Sequence, residues 1–154
     1  MTGRAPGFSL VETLVALVVL SLGLLGAWAL LISSLAGHAD AHRYAAASNL
    51  LRDMAERIRA NPRAGARYTA GEDDRHEVPC VAPAACDPEQ LAAADLAQFF
   101  QAARALLPAA AARIEFEPAT GPAATDRYAI TLRWRGIRDD NAVTLHLLAP
   151  PVAG

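Results

Sequence analysis

Residues 7–36 read Gly-Phe-Ser-Leu-Val-Glu-Thr-Leu-Val-Ala-Leu-Val-Val-Leu-Ser-Leu-Gly-Leu-Leu-Gly-Ala-Trp-Ala-Leu-Leu-Ile-Ser-Ser-Leu-Ala. Between Glu12 and Asp40 there is no Asp, Glu, Lys or Arg. As a helix, Thr13–Ala36 would be about 36 Å long, enough to cross a bilayer core of about 30 Å. A cleaved secretory signal is the rival reading, with a basic start, a shorter apolar stretch and a small-residue cleavage site. Here the apolar run is too long and only Arg4 precedes it. Ala27-Trp28-Ala29 looks like a cleavage triplet, but further apolar residues follow it. Charge does not orient the span: Arg4 lies before it, Arg43 and Arg52 after it.

The rest of the chain is ordinary by comparison. Of 154 residues, 53% are hydrophobic and 19% charged, and the mean hydropathy of +0.19 is concentrated in residues 8–36. What remains is a domain of roughly a hundred residues, small but able to bury a core. A net charge of −2 argues against a nucleic-acid partner, which calls for a basic patch. All fourteen basic residues are Arg, which excludes Schiff-base and P-loop lysine chemistry. The five serines all lie within the first 48 residues, so the soluble part has no serine nucleophile. No H-E-x-x-H, G-x-S-x-G or phosphate-binding glycine loop is present, and His38, His42, His76 and His146 are scattered. The sequence therefore suggests no enzyme, no cofactor and no catalytic residue.

Gly7-Phe8-Ser9-Leu10-Val11-Glu12 resembles the class III signal of type IV pilins and pseudopilins. The resemblance implies a leader, residues 1–7, cut after Gly7 by a dedicated prepilin peptidase that N-methylates Phe8. It also implies that the chain starts on the cytoplasmic side and that its soluble domain is exported. Glu12 has two compatible readings. At the membrane surface it complements the positive helix end, worth a few tenths to about 1 kcal/mol. By the family resemblance it pairs with the terminal amine of a neighbouring subunit during assembly.

The helical pattern continues past Ala36. Tyr44, Ala47, Leu51, Met54 and Ile58 form an apolar stripe. Arg52–Glu56 and Asp53–Arg57 are spaced for ion pairs, and Asn61-Pro62 stops the helix. This predicts one helix over about 8–60, with residues 8–36 in the membrane and 37–60 amphipathic; a break near Gly37 is the alternative. Gly23-Leu-Leu-Gly26, the block Asn49–Pro62 and the block Cys86–Phe99 are similar to the minor pilin family called PilV, or type IV pilus modification protein. Residues 8–36 contain no Pro, unlike many major pilins.

Residues 61–86 lack periodicity and read as a long exposed loop. Cys80 and Cys86 are the only cysteines, and in an exported domain they suggest a disulfide. His76 with the two thiols makes a poor zinc site, lacking a fourth ligand, and two free thiols are the other alternative. Asp87-Pro88-Glu89-Gln90 starts a helix over 88–107, with Leu91, Phe99, Phe100, Ala103, Leu106 and Leu107 as its apolar side. Alternation predicts strands over 113–117, 128–135 and 142–148.

The expected fold is α+β: a type IV pilin-like long helix, its first half transmembrane, packed on a three- or four-stranded antiparallel sheet with an extra helix. The globular domain would span 61–154. The expected function is a minor pilin that primes or caps a type IV pilus. A minor pseudopilin of type II secretion is the alternative, and a pilus-associated DNA- or ligand-binding module the second. Expected partners are the prepilin peptidase, other minor pilins, the major pilin, a tip adhesin and the inner membrane, with no nucleic acid and no metal. The protein would sit in the inner membrane with its globular domain in the periplasm, and then in the pilus.

Overall fold

The computed structural model describes residues 9–72, 74, 80, 86–120, 125–137 and 139–151. It divides into two units, up to Ala39 and from Asp40 onward. Helix α1 runs from Leu10 to Ala60, with Gly37 inside it. Its N-terminal part is long and apolar enough to cross a membrane, and none of that window is buried. There the Thr13, Ser21 and Ser33 hydroxyls donate to the carbonyls of Leu10, Leu17 and Leu30 at 2.9, 2.7 and 2.9 Å. Such internal bonds leave few polar atoms needing water, as a lipid-facing helix requires.

The second unit is α+β. Helix α1 ends where Asn61 leaves helical geometry and Pro62 follows. Helix α2 spans Pro88–Leu106. Strands β1 (Ala111–Glu117), β2 (Arg127–Arg135) and β3 (Asp140–Leu148) form an antiparallel meander in the order β1-β2-β3. Its register includes Ile114↔Ile130 and Ile130↔Leu145. The strands start one to two residues earlier than alternation predicts, because the ladder extends ahead of the first alternating apolar residue. Outside them, Ala70 makes an isolated bridge with Ile114.

One apolar core joins these elements. Ala47, Leu51, Met54 and Ile58 of α1 meet Leu96, Phe99, Phe100 and Ala103 of α2 and Ile114, Tyr128, Ile130, Leu132, Trp134 and Leu147 of the sheet. Tyr44 only half joins them. It is 40% exposed, with its ring edge-on to Trp134 at 4.9 Å and its hydroxyl 2.6 Å from Asn141 Oδ1.

Three expectations need correction. The loop 61–86 is not exposed throughout: Pro62–Tyr68 forms 3-10 turns split at Gly65, which takes φ +49°, and Ala64, Tyr68 and Ala70 are buried. Seven residues with two breakers are too few to show a period. In α2, Leu107 is buried in extended geometry as the C-cap, while Leu106 points outward. Glu56 pairs with Arg59 rather than Arg52. The capping box of α2 forms as its sequence suggests: Asp87 Oδ1 accepts from the Gln90 amide at 2.8 Å, and Gln90 Oε1 from the Asp87 amide at 3.2 Å.

Cys80 and Cys86 are joined as a disulfide, Cα–Cα 6.0 Å, one residue before the α2 cap. His76 lies outside the described residues. The protein purified without reductant is expected to weigh two hydrogens less than the reduced chain and to resist thiol labelling until reduced. The chain-entropy model gives the bridge about 2.4 kcal/mol. Stoichiometric thiol labelling without reductant would contradict this pairing.

Candidate functional site

The site begins at the first described residue. Ser9 Oγ accepts from the Val11 amide at 3.3 Å, and the Ser9 carbonyl accepts from the amides of Glu12 and Thr13 at 3.0 and 3.2 Å. The chain thus becomes helical at Leu10, placing Glu12 in the first turn. There the free amides make the positive end of the helix. Gly7 and Phe8, the expected cleavage and methylation positions, lie outside the described residues, as does the whole leader 1–7.

From Ser9 to Leu35 every residue is exposed, including Leu14, Val18, Leu22, Leu25, Trp28 and Leu35. An apolar surface of this length does not persist in water; lipid or other apolar helices must cover it. Glu12 is the one acid along it, at the mouth of an apolar surface. In such surroundings a carboxylate is held by a cation brought within contact distance.

The outer face of the sheet is different in character. Arg113, Arg127 and Arg133 lie there, but each has a carboxylate at ion-pair distance: Glu115 at 3.3 Å, Glu117 at 3.9 Å and Glu72 at 3.4 Å. Arg135, exposed on the same face, stands opposite Asp140 in the register, so acids are set among the arginines of β2. His146 faces solvent on the same side. Trp134 belongs to the core at 2% exposure, and its Nε1 has no hydrogen-bond partner among the described residues.

Sequence reasoning missed two features. The first is the Ser9 hydroxyl, although Ser9-x-x-Glu12 has the spacing of an N-terminal capping sequence and could have been read. The second is a polar node in the domain. Asp95 is 7% exposed; its Oδ1 accepts from Arg57 Nη1 at 2.9 Å and its Oδ2 from the Tyr68 hydroxyl at 2.7 Å. Arg57 also donates to Asp53 and Gln98, both at 2.8 Å. Asn61 Nδ2 donates to the Pro88 carbonyl at 2.8 Å. The node ties the end of α1, the 3-10 turns and α2 together.

The described chain thus presents an exposed apolar helix with one acid in its first turn, long enough to cross a membrane, followed by a small α+β domain. Comparison with protein families agrees. Residues 4–28 match the prokaryotic N-terminal methylation motif, and residues 29–97 match the Tt1218-like family, type IV pilin Tt1218. The chain thus carries a prepilin-type N-terminal methylation motif followed by a type IV pilin-like region. No curated relative and no solved structure matches it. The signal implies processing by prepilin peptidase and assembly with other pilins, and the family is structural rather than enzymatic.

Proposed function

We propose that this pilin is a minor subunit of a type IV pilus, of the PilV kind, which primes or caps the filament with other minor pilins. The observation that carries a subunit role is the largely apolar helix surface from Ser9 to Leu35, fully exposed in the single chain and uncharged apart from Glu12. The Pro-free residues 8–36 and the blocks Asn49–Pro62 and Cys86–Phe99 support the minor role. The paired arginines on the sheet favour a structural subunit over a DNA-binding module. In this reading prepilin peptidase cuts between Gly7 and Phe8, methylates Phe8 and leaves 147 residues anchored in the inner membrane until assembly. A pseudopilus subunit of type II secretion is the competing reading.

Isolation of sheared pili with quantitative mass spectrometry tests the role. The protein is expected at a small fraction of the major subunit. Its absence from pili, with release of a secreted protein lost on deletion, would assign it to a pseudopilus; abundance equal to the bulk subunit would make it a major pilin. Processing is tested separately. N-terminal sequencing is expected to begin at Phe8, and Gly7→Val to leave the precursor uncut, since a branched side chain replaces the smallest residue at the cleavage point. A mature chain starting at Met1 or near Trp28 would overturn the cleavage assignment.

A further inference from the structure

We infer that Ser9 is a positioning residue for assembly: its hydroxyl caps α1 and so fixes the turn that carries Glu12. This rests on the pilin reading above and deepens it. Once the leader is removed, Ser9 is the second residue of the chain, and little polypeptide precedes it to supply caps. The first four amides of a helix have no partner within the helix. At the edge of an apolar layer, water satisfies them poorly. The structure gives those amides local partners. Ser9 Oγ takes the Val11 amide, and the Ser9 carbonyl takes those of Glu12 and Thr13. The Thr13 hydroxyl closes back on the Leu10 carbonyl.

Glu12 therefore sits in a turn stapled from Ser9, three residues before it. If the cap is lost, the turn frays from its free end, and the carboxylate spreads over many positions instead of one. A partner cation on another subunit then meets Glu12 in the right place less often. Nothing else in the chain would register the change, because the core of the exported domain begins with Ala46 and Ala47.

The test uses an isosteric pair in the full-length protein. Thr caps nearly as well as Ser, whereas Val has the same shape and no acceptor. Ser9→Thr is expected to enter sheared pili at wild-type levels. Ser9→Val is expected to be cut after Gly7 and retained in the membrane, with unchanged thermal unfolding of the exported domain. Its incorporation into pili should be about fivefold lower, the equilibrium factor for losing one cap. Ser9→Asn, a capping residue of a different shape, should restore incorporation. Equal incorporation of the Thr and Val variants would overturn the proposal. So would a Val variant that fails at cleavage, which would place the role of Ser9 in processing. Absence of the wild-type protein from pili would instead remove the pilin-assembly reading on which it rests.

Discussion

Replacing Glu12 by Ala is expected to give a protein that is cut, stable and in the membrane, yet nearly absent from sheared pili. In a simple membrane anchor the same change removes a charge beside an apolar tract, so membrane retention should hold or improve. In a filament subunit it removes the partner of a neighbour's terminal amine. That amine would be surrounded by apolar helix surface such as that of Leu14, Val18 and Leu22, all exposed in the single chain. Leaving one charge unpaired in such surroundings costs about 3–5 kcal/mol, enough to reduce incorporation by two or more orders of magnitude. Cleavage should persist, because the variant leaves Gly7 in place. Quantitative immunoblots of whole membranes and of sheared pili measure both quantities. Wild-type levels of Glu12→Ala in pili would leave the residue with its helix-end role alone.

The second large effect is expected inside the domain. Asp95→Ala removes the closer acceptor of the Tyr68 hydroxyl, leaving the Arg57 carbonyl at 3.4 Å, and one of three side-chain partners of Arg57. A buried hydroxyl left with only this long bond loses part of the about 1–3 kcal/mol that a missing partner costs. The arginine, about a third exposed, retains Asp53 and Gln98, so its share is discounted for solvent. The sum is about 2 kcal/mol, a sizeable part of the roughly 5–15 kcal/mol typical of a domain. Asp95→Asn keeps an acceptor and should cost about 1 kcal/mol.

Chemical denaturation of the purified protein measures these losses, and a change below about 0.5 kcal/mol for Asp95→Ala would show that the node contributes little. The same node predicts a pH dependence. Burial, then the hydrogen bond to Asp95, holds the Tyr68 phenol protonated well above the usual tyrosine range; burial also raises Tyr128. Above about pH 10 the unfolded chain loses these protons first. The unfolded state then binds fewer protons than the folded one, so stability falls as pH rises. Tyr68→Phe should flatten that alkaline slope.

Elements with a sustained period were legible in the sequence. The stripe Ala47–Leu51–Met54–Ile58 and the alternation Tyr128–Ile130–Leu132–Trp134 each repeat often enough to define a face, and both faces are buried. The cap at Asp87 was legible because its chemistry is local. Asp95 was not. In an Ala-rich amphipathic helix an acid reads as a solvent-facing residue, and its partner Arg57 lies 38 positions away. Tyr68 escaped for a related reason, since its burial depends on α2 and on Asp95 rather than on its neighbours Arg67 and Thr69. At the assembly helix, the motif and the apolar length were plain in the sequence. The cap at Ser9 was written there too, but the acid three residues later drew the reading toward assembly and away from the backbone.

The meander order β1-β2-β3 has a kinetic consequence. Each sheet neighbour is also a chain neighbour, so both hairpins close over short loops, on the microsecond scale typical of hairpins. Docking the sheet onto the helix stripe is another matter. Tyr44 reaches Asn141, and Asp40 reaches the Ile137 amide, across 97 positions each. Closing so long a loop costs about 2–3 kcal/mol more entropy than closing either hairpin, which places helix–sheet docking after hairpin closure. Contacts that form late influence unfolding more than folding. Tyr44, Leu51 and Met54 thus bear on how long the α+β domain stays folded, while the hairpins bear on how soon it appears.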